Sequence, residues 1–150
     1  MSPTTDVNGP EQATLLLPAD VEALIHRGPF HRWLGIKVLA VTEHGIDIEA
    51  TWREEWVVNP ERRYTHGGIL ATLVDLTADW AMVLRTRRGV PTIDLRVDYH
   101  APAMPGNLRA EGRIIRFGGQ FSTSEARVFS AEGRLLASGR GTYLTSPPKV

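Results

Sequence analysis

The fold is decided by the stretch His66-Gly67-Gly68-Ile69-Leu70-Ala71-Thr72-Leu73-Val74-Asp75, which opens a segment that reaches Leu84 without a lysine or an arginine. Two glycines stand where a helix should begin, and the only carboxylates of the segment are Asp75 and Asp79. A helix start carries backbone N–H groups without intrahelical partners, so it can bind an anion or an oxyanion. A carboxylate on an otherwise apolar helix is a candidate base or nucleophile.

At 100° per residue, this helix is predicted to have two unlike faces. Small residues on one face would allow another backbone to approach, so we expect a partner helix there. The alternative is a modest polar face that is open to water. The large apolar stripe comprises Ile69, Leu73, Leu76, Trp80 and Leu84, and the small face comprises Gly68, Ala71, Asp75, Ala78, Asp79 and Met82.

Apolar residues that alternate with polar ones predict strands on both sides of the helix. A short helix from Pro18 to about Arg27 comes first, and Thr65 is expected to cap the long helix. One long helix and five or six antiparallel strands predict an α+β layer in which a curved sheet wraps the helix. The predicted strands are 36–40, 46–52 with an extension through 56–58, 92–100, 108–117, 121–129 and 135–144.

The length of 150 residues predicts one domain, which we place at residues 13–145, between a disordered leader at 1–12 and a tail at 146–150. The 17 basic and 17 acidic side chains give a net charge of zero, which argues against a nucleic-acid binder. The apolar run of residues 15–17 is too short for a signal peptide or a membrane span. We therefore expect a soluble, cytoplasmic protein that contacts neither membrane nor nucleic acid.

Metal and cysteine chemistry are not expected. The chain has no cysteine, so it can form no disulfide, no thiolate metal site and no cysteine nucleophile. Its five histidines are scattered along the sequence. The sequence contains no G-x-S-x-G, H-E-x-x-H or P-loop motif, which disfavours other hydrolase schemes.

The pattern of His66, Gly67, Gly68 and Asp75 resembles the HGG…D signature of the PaaI-like acyl-CoA thioesterases, which have the hotdog fold. Residues 91–106 resemble the next strand and turn of that family, and residues 133–142 resemble its closing hairpin, so the similarity covers about residues 30–144. The resemblance implies a hydrolase that converts an acyl- or aryl-CoA thioester to free acid and coenzyme A. It implies no cofactor beyond the coenzyme A of the substrate.

Helix geometry gives a reason to expect a homodimer. Gly67 and Asp75 are eight residues apart, about 12 Å along a helix axis, so one thioester carbonyl cannot contact both in the same chain. An antiparallel helix related by a two-fold axis would bring Asp75 of one subunit near Gly67 of the other. The resemblance implies the same shared sites, and it implies a tetramer as the assembly common among such enzymes.

The catalytic roles that this resemblance implies divide between the helix start and the carboxylate. The Gly67 N–H would stabilise the developing oxyanion. Asp75 would either activate water or attack the carbonyl, and the sequence does not choose between them. His66 would order the turn or contact the thioester. The role of Asp79 stays open: it could raise the pKa of Asp75, bind a polar acyl group, or reach water at the dimer seam.

Asn59 and Thr92 are weaker catalytic candidates. Related enzymes often have an asparagine six residues before this histidine, whereas Asn59 is seven before it, so turn capping is an equal alternative. Thr92 lies where related enzymes carry a serine or threonine near the attacking water. The alternative for Thr92 is an ordinary β-branched strand residue.

Binding of coenzyme A would need cations for its phosphates. Arg116 precedes a flexible junction with Gly118 and Gly119, whose amides are expected to be free, and Gly68 at the helix start is assigned to substrate binding as well. Weaker candidates are Arg87, Arg88 and Arg113, and the aromatic or apolar side chains Trp52, Trp56, Trp80 and Met82 could line an acyl pocket. Two other functions remain open, a hotdog hydratase or dehydratase and a non-catalytic acyl-CoA sensor.

Overall fold

The computed structural model describes residues 14–149, so the predicted leader at residues 1–12 lies outside the described residues. Three α-helices, one 3₁₀ helix and six strands follow one another along this part of the chain. The helices are α1 (Pro18–Ile25), α2 (Pro29–Trp33) and α3 (Gly67–Thr86), with the 3₁₀ helix at Glu54–Trp56. The strands are β1 (Ile36–Thr42), β2 (Gly45–Ala50), β3 (Thr92–Tyr99), β4 (Leu108–Arg116), β5 (Phe121–Ser130) and β6 (Leu135–Leu144).

All six strands form one antiparallel sheet in the order β1-β2-β4-β5-β6-β3. The long helix α3 contacts β2, β3, β4, β5 and β6, so it lies across the sheet as its central layer. The predicted hotdog architecture, an α+β layer with one long helix, is confirmed. The order leaves β3 at one edge of the sheet, next to β6.

Glycines in the sheet allow α3 to lie close to the strands. A Cβ at Gly112 on β4 would stand 2.3 Å from the carbonyl oxygen of Thr77, and a Cβ at Gly139 on β6 would stand 2.6 Å from a methyl of Val74. Ser124 on β5 reaches the helix directly, because its hydroxyl donates to the carbonyl oxygen of Ala78 at 2.6 Å. This short helix–sheet distance accounts for the small residues on the sheet side of α3.

The predicted division of α3 into a large apolar stripe and a small face is wrong in part. Ala78 and Met82, assigned to the small face, are fully buried in the core. Ile69, Trp80 and Leu84, assigned to the stripe, are only partly buried. Because the glycines bring the sheet so close, small side chains suffice at the contact and several larger ones lie on the flank.

Two local predictions before α3 are also wrong. Strand β2 ends at Ala50 and does not extend through Val58. Instead, the side-chain oxygen of Asn107 accepts the Trp52 N–H at 2.9 Å, and a 3₁₀ turn follows that buries Trp56. Thr65 is buried and does not cap the helix, since His66 occupies the N-cap position.

Helix α3 is the one helix among the described residues that is long and apolar enough to cross a membrane by length and composition. Its packing against five strands gives another reason for this composition. At the end of the fold, Thr145 is buried and its hydroxyl lies 2.7 Å from that of Ser122.

Candidate active site

The start of α3 is built around the ring of His66. Its Nδ1 accepts the Gly68 N–H at 2.7 Å, and the His66 backbone N–H donates to the carbonyl oxygen of Trp56 at 2.7 Å. Because Nδ1 is the acceptor, the proton of the neutral ring lies on Nε2. His66 therefore fixes the turn through one nitrogen and keeps a donor on the other.

Gly67 is left with an N–H that no group in the described part of the chain accepts. Its carbonyl oxygen, by contrast, accepts the hydroxyl of Tyr99 on β3 at 3.0 Å. A Cβ at residue 67 would stand 3.2 Å from the Tyr99 ring, which is tighter than an ordinary contact. The first turn of α3 thus presents one unpaired donor at the positive end of the helix, as an oxyanion site requires.

Gly68 has no such donor, because its N–H is taken by His66. A Cβ at residue 68 would approach the same imidazole nitrogen to 2.8 Å. A glycine is needed at position 68 because the His66 ring that caps the helix leaves no space for a Cβ there. Its predicted contact with substrate stays untested.

Asp75 lies in the third turn of α3, beside the edge strand. The hydroxyl of Thr92 on β3 donates to Oδ1 of Asp75 at 3.2 Å, so the structure brings these two predicted residues together. It does not bring Asp75 to Gly67, since both lie on the same helix eight residues apart. Strand β3 itself is open, with Ile93 at 55% and Tyr99 at 56% exposure.

A buried tyrosine behind Asp75 was not anticipated from the sequence. Tyr143 on β6 has no exposed surface, and its hydroxyl lies 3.5 Å from the backbone oxygen of Asp75. Burial, and then the charges of Asp75 and Asp79, raise the pKa of Tyr143 above its usual range. The alternation of β6 was the available signal, because it places residue 143 on the face that meets the helix.

Asp79 is the carboxylate of the site whose pKa is unusual. Its Oδ1 is buried without a hydrogen-bond partner among the described residues. Burial, and after it the neighbouring charge of Asp75, raises the pKa of Asp79 to about 7. Two carboxylates one helical turn apart therefore differ in environment, and Asp79 is the one that holds a proton near neutral pH.

Asn59 serves as a cap for its own loop. Its side-chain oxygen accepts the N–H groups of Glu61 and Arg62 at 3.0 and 2.8 Å, and its backbone oxygen accepts that of Arg63 at 2.7 Å. Turn capping, the alternative that the sequence left open, is thus present. A catalytic role for Asn59 stays a prediction.

The predicted CoA-binding junction is only partly free. The Gly118 N–H donates to the hydroxyl of Ser122 at 3.0 Å, whereas the Gly119 N–H has no acceptor in the described chain. Arg116 makes one long bond, 3.5 Å, to the carbonyl oxygen of Phe121. Arg85 stacks on Phe117 at 5.2 Å, which places this junction near the C-terminal end of α3, far from Gly67 of the same chain.

The weaker candidates divide between structural contacts and an apolar groove. Arg113 forms an ion pair with Asp47 at 2.7 Å, while Arg87 and Arg88 donate to the backbone oxygens of Thr14 and Thr145. Trp56 and Met82 are core residues, and Trp52 lies beside the guanidinium of Arg63. Trp80 lines a groove on the flank of α3 away from Asp75, together with Leu16, Leu24, Arg27, Val83, Leu84, Arg87, Arg88 and Gly89.

Comparison with known proteins shows the family to which the chain belongs. The sequence profile described as the thioesterase superfamily matches residues 63–137, which include the start of α3 and Asp75. The medium/long-chain acyl-CoA thioesterase YigI of Escherichia coli strain K12 is 25% identical over 138 residues, covering 82% of this chain and 89% of its own.

Two solved structures are similar in fold. The X-ray structure of a protein from the thioesterase superfamily has a TM-score of 0.82 at 52% identity, covering 85% of this chain and 96% of its own. The E. coli PaaI protein has a TM-score of 0.76 at 18% identity, covering 87% and 94%, and it shows the fold alone. The chain therefore belongs to the thioesterase superfamily and is a thioester hydrolase.

Proposed function

We propose that this chain hydrolyses acyl-CoA thioesters, releasing a free acid and coenzyme A. The observation that carries the proposal is the unpaired Gly67 N–H at the start of α3, together with a carboxylate, Asp75, on the same helix. The similarity to an E. coli acyl-CoA thioesterase supports coenzyme A as the thiol. The acyl group, whether aryl or of short, medium or long chain, is left open by these observations.

The active site is shared between two subunits of a homodimer. Eight residues of helix separate Gly67 from Asp75, about 12 Å, and one carbonyl carbon cannot span that distance. The open edge of β3, with the exposed Ile93 and Tyr99, supports association at the side of the molecule where Asp75 lies. A two-fold axis there yields two equivalent sites, and a tetramer would pair two such dimers.

Two routes to the products are compatible with this site. In one, Asp75 takes a proton from water as the water oxygen bonds to the thioester carbon, and the carbonyl π electrons move to the oxygen held by the Gly67 N–H. The C–S bond then breaks, and the thiolate takes up the proton. In the other, Asp75 attacks the carbon to form an anhydride, expels the thiolate, and water then hydrolyses the anhydride.

His66 and Thr92 would support these steps without reacting. Thr92 holds one oxygen of Asp75 through its hydroxyl, which leaves the other oxygen for the water or the carbonyl carbon. The Nε2–H of His66 offers a second donor at the helix start. No metal takes part in this scheme, and treatment with EDTA should leave the rate unchanged.

Binding of coenzyme A is assigned to Arg116, the Gly119 amide and Arg85 near the C-terminal end of α3. In an antiparallel pair of helices that sets Asp75 of one subunit beside Gly67 of the other, this end of the first helix extends about 15 Å past that helix start. The nucleotide would then bind one subunit while its thioester reaches the Gly67 N–H of the second. Phosphate contacts far from the reacting carbon would add binding energy for the chemical step.

The experiment that tests the proposal is a screen of CoA thioesters with thiol detection, applied to the natural chain and to Asp75→Asn. The chain has no cysteine, so released coenzyme A is the only new thiol. We expect Asp75→Asn to lower kcat at least about 100-fold on the best substrate, because the amide can neither accept the proton nor attack. A folded Asp75→Asn protein with unchanged turnover would refute the mechanism.

The control is Asp20→Asn, which removes the same charge from the exposed first turn of α1 and should leave kcat unchanged. If the natural chain binds CoA thioesters tightly but releases no thiol from any of them, the acyl-CoA sensor is the better description. If an enoyl-CoA gains water without loss of its thioester, the hydratase is the better one.

A further inference from the structure

Asp79 is a half-buried carboxylate, one oxygen of which is fully shielded, and the proposed reaction does not use it. It follows Asp75 by one turn of α3, a spacing that brings two side chains to about 6 Å on one helix face. Its Oδ1 is shielded from water and has no hydrogen-bond partner among the described residues. Such an atom is costly to bury, so its position beside the reacting carboxylate calls for an explanation.

The surroundings of Asp79 supply no compensating cation. From its own helix Asp75 faces it, and from β6 Tyr143 does so, with a hydroxyl whose raised pKa keeps it protonated. The remaining polar neighbours of this cluster are uncharged, Ser124 on β5 and Thr92, which bonds Asp75 from β3. No cation of the described chain therefore offsets the repulsion between the charges of Asp79 and Asp75.

We propose that Asp79 is a positioning residue, one that acts on the reaction through Asp75: its ionised carboxylate strengthens Asp75 as a base or nucleophile by like-charge repulsion. The proposal rests on the proposed function of Asp75. In both routes a negative charge leaves Asp75 and moves to the thioester oxygen, farther from Asp79. Repulsion from an ionised Asp79 therefore destabilises the starting state more than the transition state, and the reaction becomes faster.

The protonation of Asp79 makes this effect visible. Burial raises its pKa to about 7, so Asp79 is neutral below that pH and charged above it. The rate constant of the chemical step should then rise as the pH passes through about 7. Ionised Asp79 would also repel the polyanionic coenzyme A, but that effect raises KM and is absent from kcat.

The test is the pH profile of kcat, at saturating substrate, for the natural chain and for Asp79→Asn. We expect kcat of the natural chain to increase about three- to ten-fold between pH 5.5 and pH 8.5, with its midpoint near 7. The kcat of Asp79→Asn should equal that of the natural chain at pH 5.5 and should not rise with pH. Asp79→Ser should behave like Asp79→Asn, and it replaces that variant if the amide fails to fold.

Two matched variants separate this role from a structural one. Asp79→Glu should restore the rise, because it returns a carboxylate to the same turn. Asp20→Asn, which removes a distant exposed charge, should keep the profile of the natural chain. A merely structural Asp79 would lower kcat equally at every pH.

Several outcomes would overturn the proposal. If kcat of Asp79→Asn rises with pH as much as kcat of the natural chain, another group causes the rise. A folded Asp79→Asn protein that is inactive at every pH would make Asp79 a direct participant. If Asp75→Asn is inactive while Asp79→Asn keeps the rise, only the role of Asp79 fails, whereas an active Asp75→Asn removes the proposed mechanism itself.

Discussion

At the scale of single residues, the proposed site depends on backbone groups that side chains hold in place. His66 accepts the Gly68 N–H on Nδ1, and Tyr99 donates to the carbonyl oxygen of Gly67. Both contacts tie the first turn of α3 to neighbouring groups, yet neither occupies the Gly67 N–H. The donor that the proposed oxyanion needs is thus fixed in direction before any substrate arrives, which avoids reorganisation during the reaction.

The unpartnered Asp79 should also make the stability of the protein depend on pH. Its folded pKa, about 7, is above the ordinary value of 3.8, so the folded state binds more protons than the unfolded chain between these two values. The stability that Asp79 contributes is therefore complete below about pH 4 and is lost as the pH rises through about 7. We expect Asp79→Asn to exceed the natural chain by on the order of 2–4 kcal/mol in free energy of unfolding at pH 8.

Urea unfolding at pH 5 and pH 8, with equal protein concentrations, measures this difference. The gap between Asp79→Asn and the natural chain should be clearly smaller at pH 5 than at pH 8. A gap that is the same at both values would mean that Asp79 does not change its proton occupancy on folding.

At the scale of helices and strands, periodicity predicted the order of the elements but not how closely they pack. The absence of lysine and arginine between His66 and Leu84 located α3, and alternation located all six strands. The prediction of the buried face was wrong in part, because that face depends on the helix–sheet distance. That distance is set by glycines on distant strands, and no pattern within α3 carries it.

The other errors, at residues 56–58 and at Thr65, arose where contacts in the folded chain override the local sequence pattern. The apolar residues at 56–58 resemble a strand, but the turn at Glu54–Trp56 is fixed by long-range contacts that bury Trp56. Threonine is a common N-cap residue, but here it is the His66 ring, not Thr65, that accepts the Gly68 N–H. The family pattern pointed to Asp75 and to Thr92, which are in contact in the structure, and the alternation of β6 was the signal from which the burial of Tyr143 could have been predicted.

Gly112 tests whether the close approach of α3 and the sheet is required. Gly112→Ala would place a Cβ 2.3 Å from the Thr77 carbonyl oxygen, so backbone must shift. We expect a loss of about 1–3 kcal/mol in free energy of unfolding, as for other overpacked cores. Thermal and urea unfolding at fixed protein concentration measure this loss.

Gly89→Ala is the matched control, because a Cβ at that loop position meets no atom within 4 Å. It should leave stability unchanged or raise it slightly, since alanine restricts the unfolded chain. Equal losses for the two variants would show that the helix and the sheet can separate at little cost.

At the scale of the whole molecule, the outer face of the sheet and its β3 edge differ in the side chains that they expose to a partner. The outer face carries cross-strand ion pairs, among them Arg113–Asp47, Arg127–Glu111 and Arg140–Glu125. Exposed pairs of this kind contribute little to stability, and they suit a surface that stays in water. The edge of β3 instead exposes Ile93, next to Thr92, and Tyr99, which bonds Gly67 at the start of α3, and this makes the edge the better place for the proposed dimer interface.

A shared site predicts that two differently damaged subunits can restore each other. Gly67→Pro removes the N–H at the first helical position, where proline is well tolerated, and His66 before it already has an extended backbone. Gly67→Ala adds a Cβ but keeps the N–H, so it separates loss of the donor from contact with Tyr99. Each of Gly67→Pro and Asp75→Asn should be inactive alone, because each dimer then has two defective sites.

Heterodimers of the Gly67→Pro and Asp75→Asn chains, isolated through two affinity tags after co-expression, are the decisive sample. If Gly67 of one subunit works with Asp75 of the other, one of the two sites carries both defects and the other carries none, so about half of the natural kcat per dimer should return. If both residues worked within one subunit, every site would hold one defect and the heterodimer would stay inactive. Recovered activity would therefore establish at once that the enzyme is a dimer and that each of its sites needs the helix start of one chain and the carboxylate of the other.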